Sequence, residues 1–247
     1  MRHPLPVIAS AAALCAFASA AFADPAACSA RSAAIVTPVV ELYTSEGCNS
    51  CPPADRWLSR LAAQPNLVAL AFHVDYWDRL GWKDRFANAA HTERQARQQA
   101  VNGARFSYTP QVVVNGADRK DWPALRVPGV RPAASVQIEL SRDGNTVNAS
   151  VQVPSGGPAR LGAYWAVTEQ GHVSAVKAGE NEGVTLKHDF VVREYRPVGP
   201  WKAAAGAATA LSYTPALPVD PAHPRQVNLV VVDGDTGRPL QALKLGC

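Results

Sequence analysis

Two thiols in the segment Cys48-Asn49-Ser50-Cys51 carry the most specific chemistry in this chain. An apolar, β-prone run from Val39 to Thr44 precedes them, and Ala54, Trp57, Leu58, Leu61 and Ala62 follow at helical spacing. A Cys-x-x-Cys at a strand-to-helix junction sets its first sulfur beyond the helix N-terminus, where partial positive charge favours thiolate over thiol. Cys48 is then the nucleophile, and Cys51 is placed to attack a mixed disulfide at Cys48 and release the partner. Pro52 and Pro53 suit a first helical turn, whose N–H groups have no intrahelical acceptor. The same spacing also fits an inert disulfide or half of a metal site. Zinc needs two more ligands, and His73, His91, His172, His188 and His223 include no close pair, so we expect neither metal nor cofactor.

The elements that must hold these thiols follow in a regular order. The first helix ends near Gln64-Pro65-Asn66, because a proline cannot continue it. Leu67 to Val74 reads as a second strand and is followed by an aromatic and acidic loop containing Asp75, Tyr76, Trp77, Asp78, Trp82, Lys83 and Asp84, which reads either as a substrate rim beside the cysteines or as a lid of aromatics over the helix–sheet core. A more polar helix is predicted over about Arg85 to Val101, stopping at Asn102-Gly103. A strand after Pro110 then ends at Asn115-Gly116, a hairpin signal. Past Pro128-Gly129 the pattern turns to period-2 strands at 136–140, 147–153, 161–167, 184–192 and 227–231, the texture of a β-sandwich. The Ala- and Pro-rich stretch between Pro197 and Pro224 reads as a surface loop or short helix.

At the other end, Arg2 precedes an apolar run from Val7 to Phe17 and the small residues Ala21-Phe22-Ala23, which read as a cleavable secretory signal over 1–23. The run is shorter than the roughly 20 residues a membrane-spanning helix needs, so no membrane span is expected. Removing 1–23 takes away only Arg2 and lowers the formal charge from +4 to +3, too little to argue for a nucleic-acid partner. Cys15 leaves with the signal, and Cys28, Cys48, Cys51 and Cys247 remain for a periplasmic or secreted, oxidising environment. Cys28 and Cys247 are expected to form a structural disulfide joining the ends of the mature chain. The alternative is that either serves as a partner thiol for the Cys48 pair.

Strand, Cys-x-x-Cys, helix, strand, helix, Thr-Pro, strand and Asn-Gly together resemble the thioredoxin fold. More closely, Glu41 to Cys48, the string HVDYWDRLGW from His73, YTPQVVVNG from Tyr108, Ala178 to Asn181 and His188 to Arg193 look like a family of exported bacterial proteins catalogued only as a domain of unknown function. The thioredoxin resemblance implies a cis Pro110 beside the cysteines and a Thr109 backbone that pairs with an extended substrate. Thioredoxins commonly hold a buried acid beneath the pair, whereas alternation along the first strand puts Leu42 there and Glu41 on the opposite face.

The fold expected is an α/β thioredoxin-like N-terminal domain over 24–132, followed by an all-β sandwich-like domain over 133–247. The function expected is thiol–disulfide exchange with protein thiols or disulfides of the cell envelope. In that reading Cys48, Cys51 and Pro110 are catalytic, and Thr109, Trp77 and Trp82 rim the substrate groove. The alternative is a binding module with a static Cys48–Cys51 disulfide. Two further candidates have ordinary structural explanations: His73 as a base near the thiols, and the 179–193 segment with Glu180, Asn181, Lys187, His188 and Arg193 as a cleft lining.

Overall fold

The computed structural model describes residues 28–127 and 129–247, so the expected signal segment lies outside the described residues. The chain begins with a short strand, β1 (Ser29–Arg31), and the apolar run before the cysteines forms β2 (Val39–Thr44), buried along its whole length. Helix α1 (Pro52–Arg60) crosses over to β3 (Val68–His73), which pairs parallel to β2. Its apolar stripe of Ala54, Trp57, Leu58 and Leu61 packs on Val40, Leu42, Ala69 and Ala71, one face of the sheet. Burying each large side chain of that stripe contributes about 1.5–3 kcal/mol.

Helix α2 (Ala89–Val101) starts at an Asn88 cap, whose side chain accepts from the Ala90 N–H, and buries a polar face of His91, Arg94, Gln95 and Gln98. It leads to β4 (Gln111–Val114), antiparallel to β2, and the two-residue β5 (Ala117–Asp118). Between them Asn115 and Gly116 take φ of 50° and 81°, the left-handed pair a tight hairpin needs.

Beyond residue 132 all regular strands are antiparallel neighbours except one. β6 (Gln137–Asp143) and β7 (Thr146–Gln152) form a hairpin flanked by β1 and by β12 (Ala208–Tyr213). β8 (Arg160–Glu169), β11 (Val191–Lys202), β13 (Arg225–Asp233) and β14 (Pro239–Leu245) join the strands of the first half in an eight-stranded sheet, ordered β14-β13-β8-β11-β3-β2-β4-β5. The junction is the parallel pairing of β11 with β3, at Val191 opposite Ala71, supported by the Ala71 N–H donating to the Phe190 carbonyl. β9 (His172–Ala175) and β10 (Thr185–His188) form a separate two-stranded hairpin. The four-stranded sheet covers the β8, β13 and β14 end of the large one, with Ile138, Leu140, Val151, Trp165, Leu229 and Leu245 in the core between them.

The expected fold class therefore needs correcting. Among the described residues the protein is mostly β, 41% strand and 14% helix with two α-helices, and large sheets replace the expected α/β thioredoxin-like N-terminal domain. The physical reason is at the β3 edge: a strand from late in the chain docks there and carries the sheet onward, which no local pattern in the first half encodes. Two smaller expectations differ as well. The stretch read as a single strand over 184–192 breaks at Phe190, whose φ is 56°, into two strands with different partners. Within the Ala- and Pro-rich stretch, Ala208–Tyr213 is a strand, paired residue by residue with β7.

Candidate functional site

The turn between β2 and α1 carries the two cysteines, which form a disulfide with their Cα atoms 5.5 Å apart. Cys51 caps α1: its carbonyl accepts from the Ala54 and Asp55 N–H groups, and Pro52 and Pro53 fill the first helical positions. Cys48 and Cys51 are fully buried, while Asn49 and Ser50 between them are exposed.

A loop from the other half of the chain covers the pair. At the tip of the β9–β10 hairpin, Asn181 donates through Nδ2 to the carbonyls of Glu46 (2.8 Å) and Cys48 (3.0 Å). The neighbouring Glu180 carboxylate accepts from the Asn49 N–H at 3.1 Å. Gly179 takes a φ of +79° and passes close to Trp82, where a Cβ would lie 3.5 Å from the tryptophan Cβ.

Behind the disulfide lies a buried cluster of acids and histidines. Glu46 receives the Trp82 indole N–H at 2.7 Å and faces His188 Nε2 at 3.5 Å. Its main-chain N–H donates to Asp84, whose carboxylate also binds His73 Nδ1 at 2.6 Å with both side chains fully buried. Asp55, one helical turn after Cys51 on the same side of α1, is buried and accepts from the Thr44 hydroxyl. Burial raises its pKa above the ordinary carboxylate value, against the lowering pull of His188 and His73. Burial also pushes Glu46 up, but the partners facing it, His188 first among them, outweigh that and lower it. Burial similarly opposes ionisation of the Asp84–His73 pair. Their mutual attraction and hydrogen bond win, holding Asp84 at about 2 and raising His73.

The other predicted rim residues are tied into this framework. Trp77 donates its indole N–H to the Thr109 hydroxyl at 2.8 Å and packs beside Gly47, where a Cβ would lie 3.1 Å away. The Thr109–Pro110 bond is cis, and α2 holds the loop before it through Gln95, which donates to the Tyr108 carbonyl. Trp77 thus touches the cysteine turn and carries Thr109, and with it Pro110, through its indole hydrogen bond, whereas Trp82 is tethered to the buried carboxylate of Glu46.

Cys28 and Cys247 also form a disulfide, with Cα atoms 5.8 Å apart, where β1 and β14 meet. Arg193 leaves the cysteine region and pairs with Glu169 instead, and Lys187 is exposed. Among the described residues no group of three or more His, Cys, Asp or Glu side chains is arranged to hold a metal ion, and no helix is long and apolar enough to cross a membrane.

A family model matches residues 39–232, a span that contains the cysteine turn, both helices and the covering hairpin. The chain belongs to the DUF1223 family, described as proteins of unknown function. The DUF1223 chain is also similar to a protein of Agrobacterium tumefaciens known from an X-ray crystal structure, with 26% identity and a TM-score of 0.62. That match covers 85% of this chain and 94% of the other. A search of curated proteins finds no match.

Two residues of the DUF1223 site, Asp55 and Glu46, escaped sequence reasoning. Asp55 falls outside the apolar stripe of α1, where a side chain ordinarily meets solvent, but β10 packs on that helix and Asp55 is buried. Its spacing of four from Cys51 is the one signal that could have marked it. Glu46 sits two residues before Cys48 in a turn, where an acid is ordinarily exposed, whereas Asp84 belongs to the aromatic and acidic loop that the sequence marks. Nothing local distinguishes Glu46 from a surface carboxylate.

Proposed function

We propose that this protein is an exported thiol–disulfide oxidoreductase acting through Cys48 and Cys51 on protein thiols or disulfides of the periplasm or exterior. One observation carries the reading: the two sulfurs are bonded to each other at the start of α1. A thiolate formed there gains from the helix dipole, typically 0.3–1 kcal/mol. Cys48 is the attacked sulfur and Cys51 the one that leaves and later resolves. Trp77, Thr109 and the cis Pro110, linked to the turn through Gly47, form the side on which an extended partner would lie.

A second reading has its own support. Both sulfurs are fully buried, as in a static disulfide, and the chain would then be a binding module using the aromatic loop. The reduction potential separates the two. Mature protein is equilibrated across thiol buffers, alkylated, and the Cys48 and Cys51 peptides quantified. A potential between about −120 and −270 mV, together with a depressed Cys48 pKa in the reduced protein, is the expected result. One below about −300 mV marks a structural bond and overturns the redox reading.

A further inference from the structure

The loop that covers the disulfide comes from the other half of the chain, and it touches the cysteine turn through a small set of polar contacts. Asn181 contributes two, to the Glu46 and Cys48 carbonyls, and Glu180 one, to the Asn49 N–H. Gly179 and Gly183, with φ of +79° and +80°, bracket this contact segment in left-handed conformations that side-chain-bearing residues rarely adopt. On either side the hairpin is firmly held: Val176 is buried, and β10 packs on α1 with His188 facing Glu46. The part of the hairpin that rests on the cysteine turn through polar contacts is therefore its tip.

Building on the redox reading above, we propose that Asn181 and Glu180 are specificity-determining residues, which set what kind of thiol reaches Cys48. The incoming group is a thiolate, which must approach Cys48 Sγ in line with the Cys48–Cys51 bond. A new sulfur–sulfur bond then forms to Cys48, the old bond breaks, and its electron pair leaves on Cys51, which takes a proton from solvent or from a neighbouring acid. A second thiol of the incoming molecule, or a second equivalent of it, displaces Cys48 and completes a two-electron reduction. With both sulfurs buried, none of this begins until the tip lifts, and lifting breaks the two Asn181 hydrogen bonds. The carboxylate of Glu180 then stands at the mouth beside exposed Asn49. It disfavours anionic thiols and favours cationic ones, so the partner class is a cysteine set among basic or neutral residues rather than acidic ones.

The test uses the oxidised full-length mature protein and three small thiols of different charge: cysteamine, 2-mercaptoethanol and 2-mercaptoethanesulfonate. The loss of each disulfide is followed by acid quench, alkylation and peptide mapping, at equal thiolate concentration. Asn181→Ala is expected to speed attack on Cys48–Cys51 about tenfold with all three, the scale of two net hydrogen bonds removed from the opening step. Asn181→Asp keeps the shape but sets a carboxylate against two carbonyls, and is expected to speed it at least as much. Glu180→Gln is expected to raise the rate ratio of anionic to cationic thiol severalfold. The Cys28–Cys247 bond and the urea midpoint are read in the same samples. An unchanged rate in both Asn181 variants overturns the proposal, as does an acceleration matched by equal loss of global stability or a charge ratio indifferent to Glu180→Gln. A potential below about −300 mV combined with the expected kinetics would instead sink the redox reading and leave the selectivity standing.

Discussion

His91 offers a test of how the site is supported from beneath. It lies on the buried face of α2, its Nδ1 bonded to the His73 carbonyl at 3.0 Å and its ring edge-on to Phe72. With that carbonyl as partner, Nδ1 carries a proton and the neutral ring is complete. Burial is the main reason its pKa falls from 6.5 to about 4, and the positive charges of His73 and Arg94 lower it further, while the His73 carbonyl and Asp84 oppose the drop. The unfolded chain therefore takes up a proton at this residue over a range where the folded protein does not. Stability from His91 is present above pH 6.5 and is lost as pH falls toward 4. Between pH 7 and pH 5 that loss integrates to about 2 kcal/mol. His73 works in the opposite sense: its pKa is raised, so its contribution is full below 6.5 and lost as pH rises. His91→Gln keeps a donor for the carbonyl and removes the titration. Urea unfolding followed by tryptophan fluorescence at pH 7 and pH 5 should show the wild type losing about 2 kcal/mol more than the variant over that interval. Parallel losses in the two proteins would refute the argument that His91 is held neutral by burial.

Three further outcomes are expected. The Cys28–Cys247 bridge spans a sequence separation of 219, so the paired Cys28→Ser and Cys247→Ser change should cut unfolding stability by up to about 5 kcal/mol, read as a lower urea midpoint. Arg94 is the buried partner of Glu41, which also accepts from the Tyr43 and Tyr164 hydroxyls; Arg94→Met leaves that carboxylate uncompensated and should cost about 3–5 kcal/mol by the same measurement. Asp55 has a raised pKa, so its carboxylate detracts from folding stability as pH rises above its ordinary value. Asp55→Asn should then unfold at no lower urea concentration than the wild type at pH 7, and a clearly less stable variant would contradict the account of its burial.

The local elements around the cysteines were legible because each is written in short-range pattern. The β2 run has no polar face to expose, the stripe from Ala54 to Leu61 has helical period, and Asn115-Gly116 marks a turn by its tolerance of positive φ. The fold class was not legible, because it turns on pairings between distant strands. β11 could lie against any open edge as far as its own residues show, and its docking on β3 makes one sheet where the sequence suggested an α/β unit and a separate sandwich. Helix α2 was legible as a polar helix but not in what it buries. Its sequence has a weak apolar period, yet it buries Arg94 and Gln95, because Glu41, Tyr108 and Gln111 supply partners from elsewhere in the chain.

The same distinction explains what was missed at the site. A cysteine pair announces itself by residue type, but a carboxylate becomes notable only when its surroundings are known, and those are assembled here from four separate stretches of chain. Asp55 comes from α1, Glu46 from the turn before it, Asp84 and His73 from the segment that follows, and His188 from the hairpin of the other half. Burying so many ionisable groups beside a disulfide is costly unless they compensate one another. Asp84 and His73 do so, while Asp55 has one hydroxyl partner and a raised pKa. A plain structural bridge needs none of these groups, since apolar side chains of similar volume would support it at lower cost. Their presence next to Cys48 and Cys51 is therefore an argument for chemistry at the pair: an exchange reaction creates and consumes thiolate, and buried acids and histidines are the groups able to answer that change in charge.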